Sequence, residues 1–468
     1  MSETPKEQYY YGINEGADGP VDEEVNEEMQ QMLRSMEVPE SELSPEEMEE
    51  FEKLKRGARN VIKCFQLKRS EDNKKGETLR IVADAGVDSL MLRALYEEGR
   101  AAAGNDCRLV VVPKTERPAT PLGEAVGQQI QMTDAVLLFT SLSRSHAQET
   151  GAVINPRHDM ELIERILNSS HQQGNFPILS NYKLEEIEEK IKALPREIYL
   201  KKTGEEPGGY PTRARLISVT SSRREILSEG GALEDPNIMS ERIDKFAEAV
   251  KGLEKVRITS DNGTDLILDI KTSSLEDEKG IVDKPGTFSN FPSGEYCSAV
   301  DLEGTNGVYV CDGCLTVLNR LPEGEPPIRL TIEKGRIVKI EGGEYAVKLQ
   351  ELLNDVEAKQ KEAHPDDDIN SAFRLAEFAF GMNSKAFRIG SDGQRIAAPV
   401  LLEAEKCLGT VHIATGRNAS FKGMSPKDPD FNDVNIHIDF VAMNPNVTGF
   451  REDNSEFEII KDGEIVCI

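Results

Sequence analysis

The run Asn435-Ile436-His437-Ile438-Asp439-Phe440 sets a histidine and an aspartate on either side of one apolar residue. Successive side chains of a strand point to opposite faces, so His437 and Asp439 share one face while Ile436, Ile438 and Phe440 pack behind it. Two further runs repeat the arrangement. Thr410-Val411-His412-Ile413-Ala414 places a histidine between β-branched residues, and Arg374-Leu375-Ala376-Glu377-Phe378-Ala379-Phe380 places one carboxylate in an otherwise apolar segment. A fourth candidate, Glu295, follows the Pro-Gly turn of Asn290-Phe291-Pro292-Ser293-Gly294-Glu295, at the mouth of a strand over 296–300. The chain has six histidines, and two of them stand where a strand calls for apolar residues. That pattern is expected of a metal site. Glu295, Glu377, His412, His437 and Asp439 supply three carboxylates and two neutral imidazoles, a charge of about three that suits a pair of divalent ions bridged by hydroxide. No thiolate belongs to the set, which argues against structural zinc. Glu377 is the expected proton shuttle, because an apolar strand raises a carboxyl pKa. Arg417, close by in sequence, is suited to bind a substrate carboxylate or a developing oxyanion.

The elements that must position these groups fall into three segments. Residues 1–55 form an acidic N-terminal extension in which Met29, Met32, Leu33 and Met36 recur at helical spacing. Residues 56–255 read as an α/β domain. Apolar strands are predicted over 78–84, 108–113, 135–140 and 176–180, and helical segments between them imply a parallel sheet. Neither a G-x-G-x-x-G nor a Walker-type loop follows the first strand, so no nucleotide cofactor is expected. The polar tip over 140–146 lies where open α/β sheets bind ligands. Residues 256–468 read as an α+β metal-binding domain with a mixed or antiparallel sheet. Hairpins are predicted about Asp261-Asn262-Gly263-Thr264 and Lys334-Gly335, with a helix over 344–363.

At 468 residues, a hydrophobic content of 38%, Gly 37 and Pro 23 fit a globular chain of several domains. A net charge of −28 argues against nucleic acid as a partner. No apolar run approaches a membrane span, and no secretory signal opens the chain, so no membrane partner and a cytoplasmic location are expected. Seven cysteines suit a reducing compartment. Cys311-Asp312-Gly313-Cys314 has C-x-x-C spacing, yet no second Cys or His pair completes a zinc site, and Asp312-Gly313 reads as a turn. The glutamate repeat over 184–189 reads as a solvated helix face.

The order and spacing of four motifs resemble the thermophilic metallo-aminopeptidase family (peptidase family M29): N-F-P-x-G-E at 290–295, L-A-E-F-x-x-G at 375–381, G-T-V-H-I-A-x-G at 409–416, and H-x-D at 437–439. The likeness covers most of the chain from about residue 57. It implies an aminopeptidase with two divalent ions (Zn, Co or Mn) on Glu295, Glu377, His412, His437 and Asp439. It also implies a homodimer, and a peptide or small molecule with a free amino group as substrate. One departure stands out: Ala419 occupies the position at which the family carries a tyrosine. The chain is also similar to ring-cleaving dioxygenases of the 2,5-dihydroxypyridine type, which implies a single Fe(II) on His412, His437 and Asp439. In that reading His146, on the polar loop, is a candidate acid or base. A third reading is a non-catalytic metal-binding homologue. Retention of both Glu295 and Glu377 favours the two-metal peptidase.

Overall fold

The computed structural model describes residues 9–11, 27–68, 76–114, 126, 133–142, 214–219, 221 and 223–468, apart from 285–286, 317–318, 323, 364, 366–369, 392, 394, 420 and 454. His146 and the strand expected over 176–180 lie outside the described residues. The chain forms two compact units, one of Met1–Ser228 with Ile281–Phe291, the other of Glu229–Gly280 with Pro292–Ile468.

The first unit carries a six-stranded parallel sheet. Its order is Tyr9–Tyr11, Cys107–Val112, Leu79–Asp84, Ala135–Phe139, Arg215–Val219, Phe288–Phe291. Three of these strands coincide with the apolar runs expected from the sequence, because a parallel strand is covered on both faces and reads as continuously apolar. Helix Pro45–Lys63 runs through the end of the acidic N-terminal segment. It starts on a capping box in which Ser44 and Glu47 satisfy each other's backbone N–H groups. Its apolar stripe, Phe51, Leu54, Ala58, Val61 and Ile62, is buried, and helix Glu27–Met36 likewise buries Met29, Met32, Leu33 and Met36. Among the described residues no helix is long and apolar enough to cross a membrane.

The second unit contains two large antiparallel sheets and a two-stranded one, Phe387–Ile389 with Arg395–Ala397. The larger has eight strands and includes both expected hairpins, Leu253–Thr259 with Asp265–Ile270 and Ile328–Glu333 with Arg336–Glu341. The other, with seven strands, runs Asn319–Arg320, Cys314–Leu315, His437–Ala442, Val411–Gly416, Leu375–Gly381, Glu295–Ser298, Glu276–Glu278. Asp312 and Gly313 make the bend between the strands that end at Cys311 and begin at Cys314, and both cysteines are buried and outside any disulfide.

Alternation splits the seven-stranded sheet into two unlike faces. Tyr296, Phe378, Phe380, Val411, Ile413, Ile438 and Phe440 point into one core shared with Val256, Ile258, Leu266, Leu268 and Leu330 of the larger sheet. Helix Pro236–Ala249 seals this side through Phe246, whose ring centroid lies 4.9 Å from that of Phe380. Tyr309 ties the sheets together, its hydroxyl donating to the carbonyls of Val411 and Phe440 at 3.1 and 2.9 Å. Every strand that bears a candidate ligand is therefore fixed from behind by aromatic packing. Phe378→Ala removes a side chain only 1% exposed, and we expect a loss of about 3–5 kcal/mol in urea unfolding. A loss below about 1 kcal/mol would show that this core does not anchor the ligand face.

Candidate metal centre

The opposite face of the seven-stranded sheet collects the chemistry. Register places Glu377 opposite Ala414 and Ala414 opposite Asp439, with Cys297, Ala379, His412 and Val441 in the next row. Glu295 pairs with Gly381 on one side and Glu278 on the other. The alanines and glycines between the functional groups leave room for longer side chains to converge. Gly294, at φ +116°, makes the turn that delivers Glu295; a Cβ there would stand 2.5 Å from Met239 Sδ.

All five residues proposed from the sequence as ligands meet here. His437 Nε2 lies 3.0 Å from Glu377 Oε2 and 3.2 Å from Asp439 Oδ1. His412 Nε2 lies 3.7 Å from Glu377 Oε1 and 3.5 Å from Glu295 Oε2. Donors about 2.1 Å from one metal stand about 3.0–3.4 Å apart at octahedral to tetrahedral angles. The His437 distances fall in that range and the His412 distances, 3.5 and 3.7 Å, lie just beyond it, so a small inward shift of His412 would let one ion sit among these donors. Donor atoms of Glu377, His412 and Asp439 also lie within 4.8 Å of one another. Buried Glu295 Oε2 has no hydrogen-bond partner and faces His412 Nε2 at 3.5 Å, a costly arrangement without a ligand. The donor set and this unsatisfied oxygen therefore fit a divalent metal.

The surroundings aim these donors. The Nδ1–H of His437 donates to the Arg417 carbonyl at 2.8 Å, which leaves the Nε2 lone pair facing the carboxylates. That carbonyl is fixed by a buried amide pair: Asn418 N–H donates to Asn432 O, and Asn432 N–H donates back to Asn418 Oδ1. Thr316 Oγ1 donates to Asp439 Oδ2 at 3.0 Å. The Arg417 guanidinium is taken by Asp433 at 2.7 Å on the surface, so Arg417 serves the site through its backbone. Ala419 sits in an apolar cluster with Ala299, Met424 and Phe431.

Several participants were not foreseen. Lys406, 4% exposed, places Nζ 2.6 Å from Glu295 Oε1, 3.0 Å from Glu405 Oε1 and 3.3 Å from Glu278 Oε2. Glu276 flanks the same face, accepting from the Lys422 N–H at 2.6 Å. Cys297 lies among the donors too, but burial and the neighbouring Glu295 push its thiol well up, so it stays protonated. The only hint of Lys406 was its place just upstream of the His412 strand, where a lysine beside Glu405 reads as a solvated pair.

The electrostatics differ from the expectation for Glu377. Burial alone would raise its pKa, but His412 and His437 outweigh burial and hold it well below the ordinary carboxylate range. Burial opposes protonation of His412, yet Glu377, Glu295 and Glu405 prevail and push it up to about 9. His437 is raised in the same way by Asp439 and Glu377.

A family model for NicX, 2,5-dihydroxypyridine 5,6-dioxygenase, matches residues 211–466. The chain belongs to this dioxygenase family. Among solved structures it is similar to 2,5-dihydroxypyridine dioxygenase from Pseudomonas putida KT2440, at 16% identity and a TM-score of 0.54, covering 88% of this chain and 96% of that one. A second similar structure is wild-type AmpT from Thermus thermophilus, at 14% identity and a TM-score of 0.49, covering 88% and 99%. No curated protein matches. The metallo-aminopeptidase expected from the sequence is thereby corrected. The matched family, which takes in the whole ligand face, consists of oxidoreductases rather than peptide hydrolases. Four short motifs describe a ligand set, and a ligand set does not fix the reaction.

Any metal that binds through His412 Nε2 must displace a proton. The raised pKa means that the His412 imidazolium stabilises the metal-free fold fully below the unfolded value of about 6.5. That contribution is lost as pH rises through about 9. Mn²⁺ affinity is expected to rise across the same window, with proton release read by calorimetry in buffers of different ionisation enthalpy. Affinity independent of pH across that window would exclude His412 as a ligand.

Proposed function

We propose that the protein is a mononuclear metal-dependent dioxygenase, with Fe(II) as its metal, that cleaves a hydroxylated nitrogen-heteroaromatic ring of the 2,5-dihydroxypyridine type. The observation that supports this reading is the grouping of Glu377, His412 and Asp439 donor atoms within 4.8 Å of one another, with His437 Nε2 3.0 Å from Glu377 and 3.2 Å from Asp439, in a chain of the dioxygenase family. Two imidazoles and one carboxylate with open positions are the ligand set of non-haem Fe(II) oxygenases. When bound, the metal supplies redox chemistry toward O₂ and a Lewis-acid seat for a ring hydroxyl. Both atoms of O₂ enter the product as a ring C–C bond breaks, so no outside reductant is consumed.

The residues do the rest. Arg417 O holds the His437 ring in one tautomer and orientation, and Thr316 fixes Asp439. The Glu377 carboxylate lies between the imidazoles, Oε2 3.0 Å from His437 Nε2 and Oε1 3.7 Å from His412 Nε2, and is the ionised group beside the centre that a ring hydroxyl can hydrogen-bond. Glu276, Glu278, Glu295, Glu377, Glu405 and Asp439 surround the centre. Such a wall disfavours rings that bear carboxylates and favours neutral or cationic ones, as a nitrogen heterocycle provides.

The test is anaerobic reconstitution with Fe(II), followed by oxygen-electrode measurement with 2,5-dihydroxypyridine. We expect O₂ uptake in step with loss of ring absorbance. His437→Ala is expected to lose bound iron and activity together. Glu377→Gln is expected to keep the iron while kcat falls about 10²–10⁴-fold. Oxygen uptake without ring loss, or full turnover by His437→Ala, would end this reading.

A further inference from the structure

We propose that Lys406 is a built-in cation standing where a second metal ion would sit, and that it limits the centre to one ion. The proposal rests on the metal-centre reading above. The Lys406 ammonium is enclosed by Glu278, Glu295 and Glu405, each within 3.3 Å, and its side chain is 4% exposed. Glu295 links two cation positions: Oε1 meets the ammonium at 2.6 Å, while Oε2 faces His412 Nε2 at 3.5 Å and accepts no hydrogen bond. One carboxylate shared between neighbouring cations is the geometry of a two-metal site in which one cation is organic.

The backbone holds the ammonium there. Lys406 N–H donates to Glu403 O at 3.2 Å, and Lys406 O accepts from Asn383 N–H at 2.7 Å, which docks the segment after helix Leu401–Ala404 against the site. Gly381, opposite Glu295, permits the approach; a Cβ there would lie 2.1 Å from Cys407 O. Removing the ammonium would leave three carboxylates converging on an emptied, buried position. Oxygen-only donors of that charge suit a hard divalent ion such as Mn²⁺.

The experiment is Mn²⁺ titration of the full chain, read by calorimetric stoichiometry and by electron paramagnetic resonance. Wild type is expected to take up about one ion with an uncoupled spectrum, and Lys406→Ala about two, with a spin-coupled spectrum. Thermal unfolding adds a second readout, in which Lys406→Ala is less stable than wild type without metal and recovers as Mn²⁺ saturates. Lys406→Arg keeps the charge and is expected to stay at about one ion, as is the double variant Lys406→Ala, Glu278→Gln. About one ion in Lys406→Ala, about two in wild type, or a Lys406→Ala protein that stays unfolded at every Mn²⁺ concentration would overturn the proposal. Wild type without any Mn²⁺ uptake would instead overturn the metal-centre reading beneath it. The two failures are therefore distinguishable.

Discussion

Six carboxylates gathered on one sheet face repel one another, and the architecture of the centre follows from how that repulsion is met. Two like charges about 4 Å apart cost about 4 kcal/mol at an effective dielectric constant of 20, so a few uncompensated pairs rival the whole stability of a domain, about 5–15 kcal/mol. Cations must therefore sit among them. One is covalent: Lys406 lies between Glu278, Glu295 and Glu405. The other position, among His412, His437, Glu377 and Asp439, is met without metal by protons on the imidazoles, which is why both histidines are held above their ordinary range. A metal would replace those protons without a change in the surrounding charges.

Such a cluster tolerates little movement, and the sheet supplies the rigidity. The alternation that turns Glu377, His412, His437 and Asp439 to one side turns Phe378, Phe380, Ile413 and Phe440 to the other. A slip of one residue would exchange the two faces, burying charge in the aromatic core. The apolar side thus fixes the register, and the register fixes donor spacing. This is how packing far from the chemistry sets distances of 3.0 to 3.7 Å at the centre.

That coupling explains what the sequence made legible. A histidine or carboxylate in a strand of period 2 is conspicuous, and Glu295, Glu377, His412, His437 and Asp439 lie together on one sheet face. The hairpins about Gly263 and Gly335 and the helix Glu344–Ala363 were equally plain, because turn chemistry and helical spacing are local. Contacts between distant segments were not. Lys406 sits outside any strand, and nothing in Glu403-Ala404-Glu405-Lys406-Cys407 says that its ammonium turns inward to Glu278 and Glu295. Nor does a sequence show that Arg417 works through its carbonyl while its guanidinium pairs with Asp433.

The same blindness accounts for the misjudged reaction. Counting ligands, Glu295 and Glu377 beside two histidines and an aspartate look like enough charge for two metals, and a two-metal centre suggests hydrolysis. The count changes once Lys406 is placed, because Glu295 already answers to a buried ammonium. A hydroxide bridging two metals needs both cation positions to be metal, whereas O₂ chemistry at one ion needs open positions on that ion and a proton acceptor beside it. If His412, His437 and Asp439 hold the ion as proposed, such positions remain, and the Glu377 carboxylate lies between the two imidazoles, 3.7 Å from His412 Nε2 and 3.0 Å from His437 Nε2. On the reading proposed above, the choice between two chemistries on nearly the same donors would turn on Lys406, whose ammonium pairs with Glu278, Glu295 and Glu405 and not with the histidines.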